Sequence, residues 1–256
     1  MKETDQTTSI NWKGLADEGS KLGAYMYALE LEAQAKHDEA LKYYLAAALQ
    51  NFSPAQNNLG WLYRIGQGTE KNTSAAYSWF YHAAIQGNVL AIHNLGEMFL
   101  NGDGVTQNLS LAEDLFLYGA AFQLESEPES QEGMNWAIQQ CRREVAWLHL
   151  RYLNAEKSNY GAAYLWLRVA LMEMEAIEDK DSEKHRQEFE ELNQLLEQLL
   201  PKVSAKQLSF CDHCIENWKE ESFHFRDRLG FPLTGHPYCK EEWLTQVETS
   251  ANQALN

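Results

Sequence analysis

Positive charge is in short supply in this chain. It has 21 Lys and Arg against 37 Asp and Glu, a formal charge of −16 at pH 7 and a pI near 4.9. Such a surface repels phosphate backbones and anionic lipid, so neither nucleic acid nor a membrane is expected as a partner, whereas a basic protein suits it. Cysteine is scarce as well. Cys141, Cys211, Cys214 and Cys239 are too few for a disulfide framework in 256 residues, which points to a reducing cytoplasm. No apolar run approaches the ~18 residues of a membrane span. The opening residues, MKETDQTTSINWKG, contain no apolar core of the kind a signal peptide needs. Catalytic signatures are missing too. The eight histidines form no HExxH and no close pair, there is no nucleophile elbow, and no Gly-Lys-Ser/Thr follows a glycine loop. The carboxylates are abundant but scattered, so no paired acid and base stands out. The chain is therefore expected not to be an enzyme and to need no cofactor. With 45% hydrophobic residues it can still build a sizeable core.

What is present is a repeat. Leu59-Gly60 recurs 36 residues later as Leu95-Gly96, and Gly66-x-Gly68 recurs at the same shift as Gly102-x-Gly104. Ala83-Ala84 recurs as Ala120-Ala121, a shift of 37. A fixed period of this size marks stacked supersecondary units. Ala55, Leu59 and Tyr63 share one helical face, with Ser53 as the expected N-cap and Pro54 in the first turn. Gly66-Gln67-Gly68 ends that helix. Ala75, Ala76, Trp79 and Ala83 build the stripe of a second, which Gly87 closes. The two glycine pairs are thus turns between helices rather than phosphate loops.

On these residues the sequence resembles the Sel1-like repeat proteins, relatives of the tetratricopeptide repeats. Ala55, Leu59, Gly60, Tyr63, Gly66, Gly68, Ala76, Trp79, Ala83, Ala84, Gly87 and Ala91 follow the family pattern. The next copy keeps Ala91, Leu95, Gly96, Gly102, Gly104, Ala120 and Ala121, with Phe99 and Phe116 read in place of Tyr63 and Trp79. The resemblance implies an all-α fold, an α/α solenoid of about four hairpins with a helical C-terminal cap. It also implies a non-enzymatic role in binding protein.

Taken in order, residues 1–19 are expected as a disordered start and a short cap carrying Trp12 and Leu15, and residues 20–175 as the solenoid. In the first unit Leu22-Gly23, Ala40, Tyr43, Ala47 and Ala48 stand for the repeat residues. The glycine turn is missing there, and Glu30–Asp38 reads as continuous helix formers. Ser110 and Glu113 form the expected capping box of the third unit's second helix. Leu124–Gly133, with four glutamates and Pro128, reads as a solvated loop. A divergent fourth unit aligns Val145-Ala146 with Leu59-Gly60, Cys141 with Ala55 and Ala162–Trp166 with Ala75–Trp79. Residues 176–222 read as two capping helices. The first spans Asp181–Leu200 and is stopped by Pro201, and the second is opened by Ser204 and Gln207 and runs to about Glu220. Residues 223–256 read as an irregular tail with a short helix.

Two groups of side chains invite functional readings. Cys211 and Cys214 with His236 and Cys239 could supply a zinc ligand set, although helical spacing with Leu208 and Ile215 favours a role in core packing. In the solenoids that the chain resembles, the first helix of each unit lines a concave face. Residues outside the packing pattern there are Trp61, Glu97 and Trp147, at equivalent positions, with Asn57, Arg64, His93 and Arg143 on or near them. Tryptophan and arginine dominate binding hot spots, so Trp61 and Trp147 are expected as anchors, packing on a neighbouring unit being the alternative. Bacterial immunity proteins, which neutralise a toxin, are among the Sel1-like proteins without an export signal. A basic toxin or effector would suit the acidic chain, and a general adaptor in signalling or envelope assembly is the rival role.

Overall fold

Asparagines set several of the helix starts. Asn72 and Asn108 each turn a side-chain oxygen onto the backbone N–H three residues on, Ala75 at 3.0 Å and Leu111 at 3.1 Å. Their own N–H groups donate back to Tyr63 and Phe99, the last turns of the preceding helices. Cap and return bond recur 36 residues apart and fix the phase of the hairpins. Ser53 and Ser110 do not cap. The chain enters the helix at Phe52 in one case and at Asn108 in the other, so both serines already lie in the first turn.

The computed structural model describes residues 10–122, 132–152, 160–175 and 183–216. They form eleven α-helices and no strand, an all-α architecture of helical hairpins, in two compact units. The first nine residues and residues 223–256 lie outside the described part, as does most of the acidic loop that was read at Leu124–Gly133.

The first unit is described over residues 10–86. It contains α1 (Trp12–Asp17), α2 (Lys21–Ala33), α3 (His37–Ala48), α4 (Ser53–Ile65) and α5 (Thr73–Ala84). α2 packs on α3, α3 on α4, and α4 on α5. α1 lies on α2 at Gly23, where a methyl group would stand 2.6 Å from Cβ of Leu15. Contrary to the sequence reading, Glu30–Asp38 is not one continuous helix. α2 ends at Ala33 and the chain reverses through Ala35, held at φ 59°. The Lys36 N–H donates to Leu31 O and offsets the strain of that left-handed residue. α4 ends differently, on Gly66 at φ 74°, and α6 (Val89–Asn101) ends on Gly102 at φ 71°, where only glycine is unstrained.

The second unit is described from residue 87 on. α6 pairs with α7 (Leu109–Ala120). α8 (Glu132–Trp147) passes into a π-helical turn, Leu148–Tyr152, and pairs with α9 (Tyr160–Glu175). α10 (Glu183–Leu199) runs into a 3₁₀ turn through Pro201, and α11 (Ala205–Glu216) follows. Ser204 and Gln207 do form the expected box, with bonds of 3.0 Å and 3.3 Å in the two directions. α10 and α11 both pack on α9.

One large ring is fully buried in the second helix of each repeat: Tyr44, Phe80 and Phe116. Burying such a ring contributes about 1.5–3 kcal/mol. Phe80 and Phe116 sit against the glycine of the preceding helix. A methyl group on Gly60 would stand 2.8 Å from Phe80, and one on Gly96 would meet Phe116. Phe116 therefore takes the place of Phe80, and Leu115 takes that of Trp79. The pair Ala120-Ala121, read as the counterpart of Ala83-Ala84, lies one residue late.

Candidate functional site

α4 presents an exposed patch in the first unit. Trp61 is 44% exposed and Ile65, one turn on, 45%. The Arg64 guanidinium lies over the indole, 5.8 Å from its ring centroid. Both apolar side chains point away from the face that carries Leu59 and Leu62 into the core. An indole backed by a cation and flanked by an aliphatic chain offers apolar area and a charged edge to the same ligand.

Asn57, expected on that face, is buried. It donates to Asn58 at 3.3 Å, and Asn58 donates to the Tyr44 hydroxyl, which in turn donates to the Glu32 carboxylate. This chain of bonds ties α2, α3 and α4 together and leaves Asn57 inside the packing. Burial is also the main reason why the Tyr44 phenol is pushed well above its ordinary pKa.

The remaining expected binding residues lie in the second unit. His93 is buried, its ring 5.9 Å from Phe116 and 5.7 Å from Trp136. Glu97 is half-buried on α6. Arg143 of α8 reaches Glu144 at 3.8 Å and Glu191 of α10 at 3.4 Å. Burial holds the Glu144 carboxyl above the usual carboxylate range. The charge of Arg143 opposes that shift and Glu97 adds to it. Trp147 is half-buried against the cluster built on Ala163, Tyr164 and Leu192. The two tryptophans thus hold equivalent sequence positions in unlike surroundings. Trp61 faces outward, whereas α9 and α10 add walls around Trp147.

Several residues went unnoticed in the sequence. Trp136, 36% exposed, extends the stripe of Arg143 and Trp147 along α8. Fully buried Arg142 donates from Nε to Ala120 O at 3.1 Å and from Nη2 to Phe122 O at 2.8 Å. A guanidinium thus satisfies carbonyls at the end of α7, where no glycine cap is available. His149, in the π-helical turn, lies 3.1 Å from Glu113. Only the helical spacing could have pointed to Trp136. The other two depend on contacts between helices.

Of the zinc candidates, Cys211 is buried and its thiol lies 3.3 Å from the Gly161 carbonyl, the packing role that helical spacing favoured. The side chain of Cys214 and the residues His236 and Cys239 lie outside the described part. Among the described residues no three His, Cys, Asp or Glu converge as a metal site. Cys141 is buried as well, and burial pushes its thiol far above the ordinary value. No described helix is long and apolar enough to cross a membrane.

The model of one known family, described as Sel1 repeat, matches residues 20–52, 53–88 and 89–121. No curated protein matches the chain. Two of the solved structures that are similar to it illustrate the likeness. One is a Sel1 repeat protein from Oxalobacter formigenes, 26% identical over 50% of this chain and 95% of that one, with a TM-score of 0.40. The other is a protective antigen of uropathogenic Escherichia coli strains with an SLR fold, 18% identical over 86% of this chain, with a TM-score of 0.36. This chain spans half the length of the latter.

Proposed function

This chain belongs to the Sel1-like repeat proteins, and from that premise we propose that it binds a partner protein through the outward face of α4, with Trp61 as the anchor. The observation that carries the reading is the exposed Trp61–Ile65 pair with Arg64 stacked over the indole. Repeat proteins recognise partners with residues that the packing pattern leaves open, and Trp61 is such a residue. Residues 20–175 form the binding scaffold and residues 176–222 its cap.

The finer reading is a cytoplasmic immunity protein that neutralises one basic toxin or effector. The charge of −16 supports it, because an acidic surface steers a basic partner on contact. A general adaptor is the alternative and would hold several partners weakly. The two separate on one experiment, affinity capture from the native organism with wild type beside a Trp61→Ala/Ile65→Ala variant whose circular dichroism is unchanged. A single stoichiometric partner whose affinity falls at least about tenfold in the variant supports the dedicated inhibitor. Several weak partners favour the adaptor. Capture unaffected by the double substitution sinks the α4 site.

A further inference from the structure

The formal charge of −16 is unevenly shared along the chain. Residues 10–86 carry six Lys and Arg against seven Asp and Glu, a formal −1, so the excess acid belongs to the other residues. α4 holds no Asp or Glu, and Arg64 is its one charge. Salt screens exposed charges beyond about 8 Å at physiological strength, so a contact on α4 feels this local set more than the total.

The local set is one cation among apolar side chains. Trp61 and Ile65 are 44% and 45% exposed, within reach of a partner. Arg64 is half-buried, its guanidinium over the indole at 5.8 Å from the ring centroid. A guanidinium holds its donors in a planar fork that matches a carboxylate, and contact with the ring reduces the freedom it gives up on binding. Arg64 also complements the C-terminal end of α4. That role accounts for a cation in the last turn but not for the exposed tryptophan and isoleucine on either side of it. The face is open along the helix. Half-buried Asn58 precedes Trp61 by one turn, and the glycine turn at Gly66 follows Ile65. A chain can therefore run past the patch, which favours a carboxylate on a side chain within a segment over one at a chain end.

Resting on the α4 reading, we infer that the partner segment seated on Trp61 and Ile65 presents an apolar side chain with an Asp or Glu within about four residues of it, and that this carboxylate takes Arg64. A partner that is basic overall then still docks on α4 through a locally acidic segment.

The probe is a library of random dodecapeptides displayed with their C-termini fused, so that no free chain end competes. It is first depleted on the full chain carrying Trp61→Ala/Ile65→Ala, and the remainder is selected on wild type. Kept peptides that pair an apolar residue with an Asp or Glu at that spacing support the inference. Fluorescence anisotropy of one such peptide then gives the decisive readout. On wild type, replacing its acidic residue by glutamine weakens binding about threefold, and by lysine about tenfold. On Arg64→Glu the order reverses and the lysine form binds best, which a purely structural role of Arg64 does not produce. Should Arg64→Glu lose its helical circular dichroism, Arg64→Gln decides. There the acidic and glutamine forms bind alike, and a retained preference for the acid overturns the inference. Basic or uncharged sequences from the selection, or an unchanged order on Arg64→Glu, overturn it and leave the α4 site standing. A selection that keeps nothing overturns both.

Discussion

Glu144 shows at the scale of one residue how packing and charge oppose each other. Its carboxyl is half-buried and feels the charge of Glu97, so the folded state favours the protonated form. A carboxyl whose pKa is raised by folding binds its proton more tightly in the native state. Its contribution is fully favourable below the ordinary value of about 4.5 and is lost as pH rises through the folded value. Glu144→Gln is therefore expected to unfold at higher temperature than wild type at pH 7, with the gap closing as pH falls towards 4.5. Scanning calorimetry across that range checks it, and a gap independent of pH contradicts the assignment. The sequence announced none of this. Glu97 and Glu144 are far apart in the chain, and only the packing of α6 on α8 brings their charges together. Asn57 is a related case. Its position outside the packing motif suggested exposure, yet the Asn58–Tyr44–Glu32 chain beside it keeps it inside.

At the scale of elements, local chemistry and local structure agree where the signal is a turn and part where it is a cap. Gly66 and Gly102 end helices as their spacing implied. At Ser110 the expected cap is displaced because Asn108, two residues earlier, competes for the same role, whereas at Ser53 the chain enters through Phe52, which makes no side-chain cap bond. A rigid return bond, Asn72 to Tyr63 O or Asn108 to Phe99 O, decides the outcome for asparagine. Asn72→Ala and Asn108→Ala are each expected to lower stability by about 1 kcal/mol. Ser53→Ala and Ser110→Ala should remain within about 0.5 kcal/mol of wild type. Urea denaturation of the four variants separates the two sets, and equal losses contradict the assigned caps. The fourth hairpin was traceable through Val145-Ala146 and Ala163, but the π-helical turn after Trp147 has no letter signature and was not foreseen.

For the molecule as a whole, the repeating helical hairpins could be read from spacing, because glycine pairs and alanine stripes are short-range signals, and the all-α solenoid followed from the family resemblance. The partner-facing surface could not be read. Trp61 and Trp147 are alike in sequence, and their difference arises from α9 and α10, whose positions depend on tertiary packing. Charge is a whole-molecule property too. With −16 on the surface, association with a basic partner is expected to slow steeply between low and physiological salt, while dissociation changes little. Stopped-flow mixing across ionic strengths measures both rates, and an association rate insensitive to salt removes the steering argument.

The register of Phe116 has a consequence for anyone grafting a binding surface from one repeat to another. Matching by letters would equate Ala121 with Ala84, whereas the caps equate Ala120 with it. One residue is about 100° around a helix, so a side chain transplanted by spelling would face a different neighbour altogether. Counting from the asparagine keeps the graft on its intended face.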